Sequence, residues 1–175
     1  MSVRPLHLVW TSLLLLFTFV IQESVISAIH FPIAGYSLYL AVATGFMTLE
    51  ERTGAIVIGF IAGLILDLSP SAGSPIGQWS LTLTLTAVVI AYFRDSIGSF
   101  ASRPIAFMLF TSSAIAFAIA FYLIINLVLG EDSGDPFIDA KTLLGITFWN
   151  LIFSPLVLPA INRIYAWIIS EKARV

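Results

Sequence analysis

The sequence predicts an all-α membrane protein, a compact bundle of about six transmembrane helices with both termini in the cytoplasm. Three observations carry that expectation. Hydrophobic residues make up 59% of the 175-residue chain and charged residues only 10%, against roughly 25% charge in a soluble domain whose surface must face water. The mean hydropathy is +1.02. Third, the eight Lys and Arg residues sort onto one side when the apolar segments are threaded alternately, as cytoplasmic loops require.

A spanning helix needs about 20 apolar residues. Six segments qualify or come near: 6–21, 36–49, 54–68, 76–93, 105–129 and 143–161. The first follows Arg4 as a signal peptide would. Ile26-Ser27-Ala28 is a poor cleavage site, however, and similar segments follow, so it reads as a retained helix. The second and third are short; they borrow flanking residues, cross a thinned region or form one re-entrant pair. In the fourth, Leu81-Thr82-Leu83-Thr84-Leu85-Thr86 alternates with a period of two. A transmembrane barrel needs such alternation throughout, in segments of about ten residues. Elsewhere the apolar runs are continuous, so this segment is a helix whose threonines bond to their own backbone carbonyls. The sixth places Asn150 and Ser154 four apart, able to bond across to a neighbour. Pro155 and Pro159 remove donors there and kink the helix.

With the N-terminus inside, the inner pieces hold Arg4, Arg52, Arg94, Arg103, Arg163, Lys172 and Arg174, and the outer pieces only Lys141. Residues 130–139, with Glu131, Asp132, Asp135 and Asp139, form an acidic outer loop. Tyr165 and Trp167 suit the inner headgroup layer.

Several function classes are set aside. The net charge of −2 and pI near 5.5 do not offer nucleic acid the basic face it requires. No cysteine is present, which removes disulfides and thiolate metal sites. His7 and His30 are too few and too far apart for a metal centre. No HExxH, GxSxG or P-loop is present. The expectation is a protein that is not an enzyme, without catalytic residues, metal or cofactor.

The most informative stretch is 59–77. Gly59, Gly63 and Asp67 are spaced by four and share one helical stripe, where glycines let another backbone approach. Asp67 is either a proton or ligand site, or an interfacial carboxylate accepting amides of the 69–77 turn; the second is preferred. Pro75 and Gly77 shape that turn. Arg94-Asp95 is a local surface pair or a contact for a cytoplasmic partner. Glu23 and His30 read as outer interfacial residues, and Glu50-Glu51-Arg52 as a solvated inner turn.

The run Gly63-Leu64-Ile65-Leu66-Asp67-Leu68, a small-residue and proline turn, then Pro75-Ile76-Gly77-Gln78-Trp79-Ser80-Leu81, resembles the signature of the MreD family of bacterial rod shape-determining membrane proteins. Chain length, the motif's place in the third helix, and the closing Trp149-Asn150…Pro155 helix resemble that family too. One departure is Ala91-Tyr92-Phe93-Arg94, where the family often has a glycine-tyrosine-x-x-glycine pattern. The resemblance implies a multi-pass protein of the bacterial cytoplasmic (inner) membrane, with a fold similar to the substrate-binding subunits of energy-coupling-factor transporters. It implies a non-enzymatic scaffold or regulator of cell elongation, shaping rod cells and lateral wall synthesis by binding an MreC-like partner. Through that partner come a glycan-polymerising enzyme, a class B transpeptidase and an actin-like filament. Gly59, Gly63, Asp67, Pro75, Gly77, Arg94, Asn150 and Pro155 are the candidate packing or partner surfaces. The alternative is the vitamin-binding membrane subunit of such a transporter, its cavity lined by Asp67, Trp79, Asn126 and Asn150.

Overall fold

A computed structural model describes residues 5–29, 35–69, 75–97, 104–130 and 136–171. His30, the acidic residues Glu131, Asp132 and Asp135, and the basic residues Arg4, Arg103, Lys172 and Arg174 lie outside them. Six α-helices and no strand occur among the described residues: α1 (Pro5–Ile21), α2 (Leu38–Leu49), α3 (Arg52–Asp67), α4 (Gln78–Ile97), α5 (Pro104–Leu129) and α6 (Pro136–Glu171). Three are long and apolar enough to cross a membrane: α1 with the π turn that continues it, α5 and α6.

The alternating stretch 81–86 is helical. Thr84 Oγ1 donates to the Ser80 carbonyl at 2.5 Å and Thr86 Oγ1 to the Thr82 carbonyl at 2.8 Å. These hydroxyls find acceptors one turn back, which keeps a polar group tolerable in an apolar setting. Thr82 Oγ1 is buried without such a bond.

The short second segment is the hub of the fold. α2 has 12 residues, about 18 Å of helix, too little to cross a hydrocarbon core of roughly 30 Å. Ten of its residues, Tyr39 through Thr48, are buried, and it packs against all five other helices. A helix that is apolar all round belongs in the middle. Small residues let the neighbours in: a Cβ on Gly45 would stand 2.9 Å from Ile161 Cδ1 of α6. Tyr39 Oη donates to the Ala62 carbonyl of α3 at 2.7 Å.

Both ends of α2 are closed by side chains from elsewhere. The π turn Gln22–Ile26 after α1 brings Gln22 to its start, where Gln22 Oε1 accepts from Leu38 N at 2.8 Å. Gln22 Nε2 donates to the Tyr36 carbonyl at 3.3 Å, and Ser37 Oγ accepts from Leu40 N at 3.3 Å. At the other end Tyr165 Oη of α6 donates to the Leu49 carbonyl at 3.0 Å. Helix ends leave orphan donors and acceptors. Inside an apolar bundle, with no water at hand, those groups must find protein partners.

Three expectations change, one at the α2–α3 turn and two in α6. Glu50 is not a freely solvated turn residue: its carboxylate lies 3.4 Å from His7 Nε2, and both side chains are largely buried. α6 does not stop at 143–161 but runs 36 residues through both prolines. Pro155 cannot donate to the Leu151 carbonyl, and Ser154 Oγ takes that place at 2.7 Å. Asn150 Nδ2 likewise donates within its own helix, to the Ile146 carbonyl at 2.8 Å. The expected bonds across to a neighbouring helix are therefore not how Asn150 and Ser154 are used. Their donors are spent on carbonyls of the same helix.

The outward faces are oily. On α1, Val9, Leu13, Leu16, Phe17 and Val20 are exposed along one stripe while Thr11, Leu15 and Thr18 face inward. Monomeric soluble proteins rarely expose contiguous apolar patches on this scale.

Candidate functional site

The site assembles where α3 ends and α4 begins. α3 is Arg-Thr-Gly-Ala-Ile-Val-Ile-Gly-Phe-Ile-Ala-Gly-Leu-Ile-Leu-Asp, with small residues at four-residue spacing and a carboxylate closing the stripe. That stripe faces α4. A Cβ on Gly59 would lie 2.6 Å from the Leu83 carbonyl oxygen and 2.8 Å from Ala87 Cβ. A Cβ on Gly63 would fall on the Ser80 Cα and the Trp79 carbonyl oxygen, and 2.6 Å from Ser80 N. Of the two uses expected for these glycines, packing within the chain accounts for both positions. α4 already occupies the face they open.

Asp67 then sits beside the first turn of α4 and is 5% exposed. Its Oδ1 accepts from Trp79 N at 2.9 Å. Its Oδ2 accepts from Ser80 N at 2.9 Å and from Ser80 Oγ at 2.5 Å. Gln78 N donates to the Pro75 carbonyl at 3.2 Å, and Leu81 N makes the first bond within the helix, to the Gly77 carbonyl at 2.9 Å. The amides of Gln78, Trp79 and Ser80, which have no acceptor inside the helix, thus all have partners. A carboxylate at a helix N-terminus also meets the positive end of the macrodipole, and such charge-assisted bonds are about twice as strong as neutral ones.

The preferred reading of Asp67 as a hydrogen-bonded carboxylate thus holds in kind, with a correction in address. Its donors are the amides of Trp79 and Ser80 inside α4, not those of the 69–77 turn; residues 70–74 lie outside the described residues. Sequence offered a signal for Ser80, an N3 hydroxyl one turn into an apolar run, but none for a cap reaching across 12 residues.

Pro75 and Gly77 make the approach. The Gln78 N to Pro75 O bond closes a four-residue turn, and Gly77 at its third position has φ +99°, the geometry a type II turn demands there. Nothing lies within 4 Å of a Cβ on Gly77, so the requirement for glycine is conformational. We expect Gly77→Ala to cost about 1–2 kcal/mol, the penalty of a left-handed non-glycine residue. Thermal unfolding in detergent micelles checks this, and an unchanged midpoint would show the turn does not depend on that backbone.

Beside the cap lies a second polar group that sequence reasoning did not single out. Gln78, 4% exposed, donates through Nε2 to the Tyr122 carbonyl at 3.3 Å and to Asn126 Oδ1 of α5. Its Oε1 is buried without a partner. Trp79 stacks on Tyr122, with ring centroids 4.2 Å apart and planes 19° apart. Asp67, Trp79 and Asn126, expected together as lining of a ligand cavity, do converge. They are engaged with Ser80, Tyr122 and Gln78 respectively.

The other candidates lie elsewhere. Arg94 is half-buried near the far end of α4, within electrostatic reach of Tyr165. Asn150 is buried in α6 and Pro155 is exposed on it. No protein-family model, curated protein or solved structure matches the chain.

Proposed function

We propose that this protein is a membrane scaffold of a cell-elongation complex, a bundle of six helices with both termini cytoplasmic, resembling the MreD family. It holds an MreC-like membrane partner and through it wall-synthesis enzymes and an actin-like filament. One observation carries the reading. The residues on which the resemblance rests, Gly63, Asp67, Pro75, Gly77 and Ser80, act together as a lock that welds α3 to α4. A motif devoted to rigidity suits a protein that presents a surface, not one that turns over a substrate.

The chain's directions support the threading. Each connection joins antiparallel neighbours, and the ends of α1, α2 and α6 that carry His7, Glu50 and Tyr165 meet at one side. Arg94 comes to that side as well, as do the paired rings of Trp10 and Trp167, 6.2 Å apart. Aromatic and basic residues at one level are what an inner interface collects. The uptake alternative requires polar atoms turned toward an open cavity, whereas Asp67 directs both carboxylate oxygens at α4.

The test is affinity purification of the full chain from native membranes in mild detergent. Recovery of a single-span partner with a large extracytoplasmic domain, together with wall-synthesis enzymes, is expected. Recovery of a transporter ATPase pair instead would overturn the scaffold reading.

A further inference from the structure

We propose that α6 carries a hydrogen-bond socket for a partner's transmembrane helix: the Pro155 carbonyl, left without a donor on an exposed face, accepts a hydroxyl or amide from that helix. The inference rests on the scaffold reading above and gives its partner a place to dock.

The socket follows from a difference between two prolines. Pro155 and Pro159 stand one turn apart inside α6, and each deprives the carbonyl four residues before it of a donor. For Pro155 that carbonyl belongs to Leu151, and Ser154 Oγ donates to it at 2.7 Å. For Pro159 it belongs to Pro155, and the residue standing where Ser154 stood is Leu158, which has no side-chain donor. The amides of Leu158 and Ala160 serve the Ser154 and Leu156 carbonyls in a continuous α-helix. No side chain among the described residues donates to the Pro155 carbonyl. The Pro159 ring also crowds it, as a proline ring does the carbonyl one turn back.

A partner can reach this turn. Pro155, Leu156, Pro159 and Ala160 are all exposed. Phe148 and Ile152 continue the same face toward the start of α6 and are exposed as well, their spacing of four keeping them on one broad stripe. Ala160, beside Pro159, is small enough to let another backbone come close.

Depth decides the occupant. Trp167, exposed on α6 and paired with Trp10, suits the inner headgroup level, and it lies about 12 Å along the helix from Pro159. Lys141, exposed in the other direction, lies about 21 Å from Pro155. The turn between the two prolines therefore sits in hydrocarbon, inside a core of roughly 30 Å. Lipid tails carry no donor, and headgroups stay near the Trp167 level. At such depth backbone polar groups are met by protein, and hydroxyl and amide side chains bond across from one helix to the next. A partner helix bearing such a side chain among apolar residues is the occupant that fits.

The test joins capture to infrared spectroscopy on the full chain. Pro159→Ala restores the missing N–H and so gives the Pro155 carbonyl a donor of its own. It is expected to unfold no earlier than the wild type in detergent, yet to recover about three- to tenfold less single-span partner from native membranes, which is what one interhelical hydrogen bond contributes. Proline labelled with carbon-13 at its carbonyl marks all eight prolines, and the band missing from Pro155→Ala belongs to Pro155. In the purified wild-type chain that band should lie at the unbonded frequency and fall when the partner binds. The band decides even if Pro159→Ala unfolds early. Equal capture by a folded Pro159→Ala and the wild type overturns the socket and leaves the scaffold reading intact. So does a Pro155 band that stays in place on partner binding, or one already bonded in partner-free vesicles, where water or lipid is the donor. A wild-type chain that dimerises while Pro159→Ala stays monomeric assigns the socket to a second copy and overturns the partner. Recovery of no single-span partner by the wild-type chain removes the scaffold reading and the socket with it.

Discussion

Gly63→Ala should produce the largest loss of folded protein of any single methyl added to this chain. The added carbon would meet three backbone atoms of α4, the Ser80 Cα and N and the Trp79 carbonyl oxygen. Backbone cannot rotate aside as a side chain can. Overpacking typically costs about 1–3 kcal/mol and occasionally more; because here two helices must separate, we expect about 3 kcal/mol or above. Gly59→Ala should follow closely, since its contact is the Leu83 carbonyl oxygen. Gly35→Ala is the control, with nothing within 4 Å. Fluorescence-detected size exclusion after a temperature ramp reads all three. Equal midpoints for Gly63→Ala and Gly35→Ala would mean that α3 and α4 do not approach as described.

Asp67→Leu should come next. It removes every acceptor for the Trp79 and Ser80 amides and the Ser80 hydroxyl, leaving buried donors with no water to turn to. Each such orphan costs about 1–3 kcal/mol, so a loss of about 3–5 kcal/mol is expected. Asp67→Asn keeps one carbonyl oxygen and the shape, and should cost roughly half as much. Ser80→Ala, which removes only the hydroxyl donor, should be milder again, at about 1 kcal/mol. That ordering separates a capping carboxylate from a functional acid. If Asp67→Asn unfolds nothing yet abolishes partner capture or transport, Asp67 serves a ligand and the cap is incidental.

The polar residues divide into those whose role could be read along the chain and those whose role could not. Thr84 and Thr86 bond one turn back, and the helical reading of their segment needed only that local option. Gly63 and Asp67 share a stripe by arithmetic, which pointed to a close approach ending at a carboxylate. Gln22 was different: nothing along the chain marked it as a cap, yet its side chain caps α2 across 16 residues. Tyr165 read as a headgroup anchor, while its hydroxyl closes the other end of α2 across 116 residues. Pro155, inside the expected sixth segment, does not interrupt α6, where Ser154 supplies the donor that it lacks, a substitution invisible to a hydropathy window.

By itself the sequence determined an all-helical chain with helices apolar enough for a membrane, because scarcity of charge and the length of apolar runs are properties of each segment alone. It also determined that α3 would present a glycine face. Only the tertiary structure decided which helix fills that face, that the shortest helix lies at the centre, and which distant side chains close its ends. Those outcomes depend on the depth at which each helix stops relative to its neighbours. That depth is set by packing between segments, and no segment carries it alone.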